Sequence, residues 1–183
     1  GDTMYVDTAL SLIAWVATEP GDEGHNGSLK IKSGKVFMKE NQLVGGNFVI
    51  DMNSINVKDL EGKRKAKLQS HLKTGDFFET GKYPEAEFSI AEVSPDSGSN
   101  YTITGNLRMK DSTKSIIIPA MITMEDGKME AKTPDFTIDR TEWGIVYRSS
   151  LVNTLKDKLI NHRIGLRIKL VAREEMVSEE EVI

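Results

Sequence analysis

Along this chain polar and apolar residues alternate in several extended runs. In LINHRIGLRIKLVA, residues 159–172, Ile160, His162, Ile164, Leu166, Ile168, Leu170 and Ala172 fall on one face, while Asn161, Arg163, Arg167, Lys169 and then Arg173 fall on the other. Successive side chains of a strand point to opposite sides, so this period predicts a long strand with one dry face and one wet face. YTITGNLRMK repeats the pattern, with Tyr101, Ile103, Leu107 and Met109 inward and Thr102, Thr104, Arg108 and Lys110 outward. In VGGNFVIDM, Val44, Phe48, Ile50 and Met52 stand opposite Asn47 and Asp51. LKIKSGKVFMK alternates too, but breaks at Ser33-Gly34, which predicts a strand pair or a bulged strand.

Turn signals separate these runs: PGDEGHNG near residue 20, SPDSGSN near 95 and EDGK near 125, where Asp126-Gly127 suits a tight hairpin. Long strands at hairpin spacing predict one antiparallel sheet large enough to close on itself, a barrel of about eight strands. IIIPAMITM is apolar at both parities, which predicts a strand covered on its outside by another element or by a partner, with Pro119 at an edge or bulge. One interior segment has helical spacing, DLEGKRKAKLQSHLKT: Leu60, Leu68 and Leu72 form a stripe, lysines cover the rest, and the helix can lie across the barrel as a lid.

The stretch HLKTGDFFETGKYPEAEFSI, His71 to Ile90, sets two phenylalanines between acids. Asp76 suits an N-cap, Glu79 a capping box and Gly81 a stop, so GDFFETG predicts one capped helical turn presenting Phe77 and Phe78. Pro84 then starts the strand of Ala86, Phe88 and Ile90. Between a helix and a barrel strand, this turn would set two rings against the barrel mouth.

Composition narrows the function. The 183 residues suit a single domain, read as a barrel over residues 1–173 followed by an acidic tail over 174–183. There is no cysteine, which excludes disulfide scaffolds, thiolate metal sites and thiol catalysis. A net charge of −4 with both signs interspersed offers no field for nucleic acid. No apolar run approaches the ~20 residues of a membrane-spanning helix, so the chain is expected to be soluble. It opens on Gly1-Asp2 rather than methionine, which fits removal of an N-terminal segment.

Several segments then resemble one family. HLKTGDFFETGKYPEAEF is similar to the most distinctive stretch of the YceI-like family, the bacterial polyisoprenoid-binding proteins. VDTALSLIAWVA, with Asp7, Ser11 and Trp15, resembles its opening strand, and GHNGSLKIKSGKV, with His25 and Gly27, the next. YTITGNLRMKDSTKSIIIP resembles the strand pair that follows, and DFTIDRTEWGI its Arg-x-x-aromatic-Gly segment, here Arg140, Trp143 and Gly144. The resemblance runs from Tyr5 to about Arg173. It implies a lipocalin-like antiparallel barrel whose apolar tunnel holds one isoprenoid-type chain, and it brings no catalytic constellation. One departure is KDSTK, where many members have a Gly-rich turn.

The expected lipid-binding wall comprises Trp15, Phe48, Phe88, Leu107, Ile116, Ile118, Phe136, Ile164 and Leu166, with Phe77, Phe78 and Trp143 capping or plugging a cavity end. An eight-stranded barrel can equally fill its interior with these same side chains. His25, His71 and His162 show no metal-ligand spacing; His162 is read as an interior histidine or a polar contact to a ligand head group. Arg140 with Glu142 would orient a head group or form a solvated ion pair, and Ser11, Ser70 and Ser115 lack a nucleophile elbow. The lysines from Lys63 to Lys67 read as a wet helix face, or as a contact for anionic lipid.

The expectation is non-catalytic binding, transport or storage of a polyisoprenoid or prenyl quinone, with no cofactor or metal required. It sets the protein in the periplasm or outside the cell, with the cytoplasm as the other choice. A transient membrane contact and a homodimer are further partners to weigh. The competing readings are a ligand-free protein-interaction barrel and a lipid- or ester-processing enzyme using His71 or His162.

Overall fold

The computed structural model describes residues 2–18, 24–149 and 160–175. Its strands are β1 (Asp2–Val6), β2 (Leu12–Thr18), β3 (Gly24–Lys39), β4 (Gln42–Val57), β5 (Glu85–Pro95), β6 (Asn100–Met109), β7 (Ser112–Glu125), β8 (Lys128–Lys132), β9 (Phe136–Asp139) and β10 (Arg163–Arg173). Helix α1 (Gly62–Leu72) joins β4 to β5, and a 3-10 turn (Arg140–Trp143) follows β9. The antiparallel ladder runs β10-β2-β3-β4-β5-β6-β7-β8 and closes where β8 pairs with β10. The ring closes at the hairpin end, while β7 from Ser112 to Ala120 has a partner strand on one side only.

Among the described residues ten strands make only eight staves. β1 and β2 lie end to end along β3, and β8 and β9 lie end to end along β10. At the first break, the Asp7 carboxylate accepts from the Ala9 and Leu10 amides and from Arg173 Nε. Buried Ser11 donates to the Asp7 carbonyl and accepts the Val171 amide, so its hydroxyl holds backbone. At the second break, Thr133 Oγ1 accepts the Ile168 amide and its own amide donates to the Ile168 carbonyl.

Bulges account for the irregular sequence patterns. In β3 the inward residues are Leu29 and Ile31, then Val36 and Met38, and the register shift between Ile31 and Ser33 changes the parity. The Ser33-Gly34 break is therefore one bulged strand rather than two. A second shift, between Phe37 and Met38, puts Leu43 inside and leaves Val44 52% exposed, outside the face its spacing predicts.

IIIPAMITM also departs from expectation. Ile118, Ala120 and Ile122 are buried, while Ile117 is 66% and Met121 52% exposed, so no described residue covers the outer face of β7. Pro119 sits where an absent N–H is tolerated, because β8 pairing stops at Met121 and this half of β7 has a strand on one side only.

The turns sort into two ends. At the hairpin end, Glu40-Asn41 and Asp126-Gly127 both adopt positive φ, as the predicted Asp-Gly turn requires. At the other, the helix end, stand α1, the 73–84 connection and the 3-10 turn. The KDSTK departure is accommodated there by Lys110 at φ 56°. Of the predicted turn PGDEGHNG, Gly24 to Gly27 already belong to β3 and 20–23 lie outside the described residues. The expected acidic tail likewise lies outside them beyond Glu175.

The predicted capped turn around Phe77 is absent. Asp76 does not cap; its carboxylate stands 2.8 Å from His71 Nε2. The carbonyl of Thr74 instead accepts the Phe77 and Glu79 amides, and Glu79, not a glycine, takes the left-handed conformation at φ 46°. Residues 73–82 form linked turns because the helix-end carbonyls of Leu72 and Lys73 capture the Phe78 and Thr80 amides.

Candidate functional site: an apolar cavity inside the barrel

The barrel interior is not filled. It holds a cavity with a volume of about 210 Å³, more than tenfold the roughly 10–15 Å³ that one water needs. Inward-facing Phe48, Phe88, Ile90 and Leu166 are only half-buried, which for side chains inside a closed barrel means they border empty space. Toward the hairpin end Val36, Met129 and Leu43 also line the cavity but are buried to 0%, 1% and 5% exposure.

The walls follow from strand alternation. Trp15, Phe48, Phe88, Leu107, Ile116, Ile118, Phe136, Ile164 and Leu166 all line the cavity, and Phe77 and Phe78 line it from the helix end. Spacing on the inward faces also covers Ile50 and Met52, while Leu72 reaches the cavity from the predicted stripe of α1. Phe48 and Phe88 pair across β4 and β5 and stack with ring centroids 6.2 Å apart. Gly105 on β6, the cross-strand partner of Ile90, supplies space beside that stack: a methyl group there would overlap the Phe88 ring.

Trp143 and His162 do not line the cavity. Trp143 is buried beside the barrel end, where its indole N–H donates to the Leu107 carbonyl at 2.8 Å, so it fixes the 3-10 turn against β6. His162 precedes β10 and borders an open outer groove with Val16, Thr18 and Thr137. Its carbonyl accepts the Arg140 amide, and this backbone anchoring interrupts the alternation just before Arg163.

Arg140 is the polar member of the wall that sequence reasoning misassigned. It pairs neither with Glu142 nor with solvent. At 2% exposure it donates from Nε to Asn161 O, from Nη1 to Ile145 O and from Nη2 to Ile160 O, at 3.1, 2.8 and 3.0 Å. Burial pushes its pKa down, opposed by the charge of Asp139, but a guanidinium remains protonated. Asp139 caps the turn by accepting from the Thr141 amide and hydroxyl; burial opposes its ionisation, and these bonds more than offset that and hold it below the usual carboxylate range. The sequence signal for Arg140 was its place directly after an alternating strand and before Trp143-Gly144.

Across the helix end, His71, Phe77 and Tyr147 meet edge to face at centroid distances of 5.0 to 5.2 Å. Such contacts add about 0.5–1.5 kcal/mol each beyond area burial, and here they fix Phe77 over the cavity. His71 pairs with Asp76, and His25 with Asp59 at 2.8 Å, so neither histidine faces the cavity. Among the described residues no three His, Cys, Asp or Glu side chains gather as a metal site. Apart from Thr133 and Arg140, every lining residue among the described residues is apolar.

Comparison with known proteins places this geometry. A UPF0312 protein of Photorhabdus laumondii is 41% identical over 63 residues, 34% of this chain and 32% of that protein. Another, from Yersinia enterocolitica, is 31% identical over 77 residues, 42% of this chain and 36% of that protein. The matched stretches thus span about a third of these relatives' length. Burkholderia cenocepacia BcnA superposes with a TM-score of 0.75 at 17% identity, over 91% of this chain and 98% of that one. A polyisoprenoid binding domain from Saccharophagus degradans gives 0.71 at 13% identity, over 93% and 97%. At such identities the structural likeness speaks for the fold alone. The YceI-like domain model, however, matches residues 5–172, nearly the whole barrel, and the chain belongs to the YceI-like family.

Proposed function

We propose that this barrel binds one long-chain lipid of the isoprenoid type, a polyisoprenoid or prenyl quinone, and carries or stores it without catalysis. The observation that carries the proposal is the unfilled, almost wholly apolar cavity inside a closed barrel. Each buried methylene contributes about 0.8 kcal/mol, so a few five-carbon units supply useful affinity before ordering costs. Family membership and the printed binding role of the Saccharophagus degradans domain support the same ligand class. Against an enzyme stands the lining itself, whose described residues offer one threonine and one protonated arginine. The reading requires no cofactor, and the compartment that accords with it is the periplasm or the cell exterior, with cargo exchanged in transient contact with a membrane.

The test is solvent extraction of freshly purified protein and mass spectrometry of the extract, with native mass spectrometry for stoichiometry. A prenyl-chain species near one per chain is expected, as is its loss in Ile116→Trp, which fills the cavity. A barrel that stays empty after incubation with a prenol and with a prenyl quinone overturns the proposal. A second reading, a barrel that pairs with another protein or with its own copy, draws on exposed Ile117 and Met121. Sedimentation that finds only monomer at high concentration removes the homodimer.

A further inference from the structure

Helix α1 gathers positive charge at the helix end of the barrel. From Lys58 to Lys73 the chain has six basic and two acidic side chains, a net +4; with −4 for the whole chain, the remainder carries −8. Of the two acids, Asp59 is engaged by His25 and the Asn26 amide. Lys63, Arg64 and Lys67 are exposed, and none of them is in an ion pair among the described residues. At about 100° per residue Lys63 and Lys67 point about 100° or more away from Leu68 and Leu72, while Arg64, one turn before Leu68, flanks the leucine stripe. Those two leucines pack on the core, and Leu72 lines the cavity beside Phe77 and Phe78.

We propose that the Lys63, Arg64 and Lys67 face docks the helix end of the barrel on an anionic phospholipid surface, bringing the apolar cavity to the bilayer that would supply or receive its cargo. Charge complementarity selects the occupant. The three exposed cations, none of them in an ion pair among the described residues, attract anionic head groups and turn this helix face toward such a surface. The apolar stripe of α1 is already occupied by the barrel, so the helix has no second stripe to insert among acyl chains. Docking is therefore electrostatic, reversible and sensitive to salt.

The proposal rests on the carrier reading for its purpose, yet its test does not require cargo. The purified protein is sedimented with phosphatidylcholine vesicles, with and without phosphatidylglycerol, at low and physiological salt. Binding is expected only with phosphatidylglycerol and is weakened by salt. Each cation near such a surface is worth about fivefold, so the combined Lys63→Gln, Arg64→Gln and Lys67→Gln variant loses about a hundredfold in partitioning. Glutamine matches lysine and arginine in helix propensity, so α1 is retained. The comparison variant, Lys39→Gln, Lys128→Gln and Lys169→Gln, removes equal charge away from α1 and keeps most of the binding. Absence of phosphatidylglycerol-dependent binding, or equal loss in both variants, overturns the proposal. Protein that holds a prenyl lipid but ignores vesicles loses the dock and keeps the carrier; protein that binds vesicles with an empty barrel does the reverse.

Discussion

The two ends of this barrel are built by different physics. At the hairpin end, Val36, Met38, Leu43 and Met129 pack to 5% exposure or less beneath two-residue turns, and dispersion and burial do the holding. At the helix end, burial is joined by directed contacts: the Arg140 guanidinium on three carbonyls, the Trp143 indole on Leu107, and the ring cluster of His71, Phe77 and Tyr147. A barrel that must keep an empty interior cannot close that end by filling it. Polar fastening lets the end be ordered while the cavity beside it stays open.

The largest expected break in this contrast is Arg140→Met. It leaves the carbonyls of Ile145, Ile160 and Asn161 without their donor and should cost about 3–5 kcal/mol in urea unfolding. A loss below about 1 kcal/mol would mean the carbonyls find other partners and the fastening account is wrong.

Next comes a matched pair of truncations. Met38→Ala, at the hairpin end and off the cavity lining, should cost about 2–5 kcal/mol, because the neighbours cannot follow the lost side chain. Leu166→Ala, at the cavity, should cost visibly less, because that leucine already borders empty space. Equal costs would place the cavity elsewhere.

The smallest effect sharpens the geometry of the wall. Gly105→Ala meets both the Phe88 ring and the Ser89 carbonyl and should cost about 1–3 kcal/mol as overpacking, of which only the share owed to the ring should vanish when Phe88→Ala is also present. Additive costs in the double variant would show that the glycine serves its backbone rather than the ring.

The same contrast explains what was legible in the chain. Ile164, Leu166 and Leu107 could be assigned to a wall because strand alternation is local and strict. Val44 could not, because one bulge between Phe37 and Met38 reverses parity, and nothing in Val-Gly-Gly announces it. Asp76 failed as a cap for a related reason: cap chemistry competes with a histidine five residues earlier, and the outcome depends on where α1 ends. Trp143 and His162 were misplaced because each answers to a partner far along the chain, Leu107 in one case and Arg140 in the other.

The sequence by itself determined an antiparallel barrel, the inward identity of most wall residues, the helix and its basic face, and the absence of thiol chemistry. These depend on periods of two and 3.6 residues and on composition, which are properties of neighbours in the chain. Whether the interior is filled or open was decided only in the tertiary structure. Openness is a small difference between the volume enclosed by eight staves and the volume of the side chains directed into it, and bulges, inward glycines such as Gly105 and the buried Arg140 set that difference through contacts between residues distant in sequence.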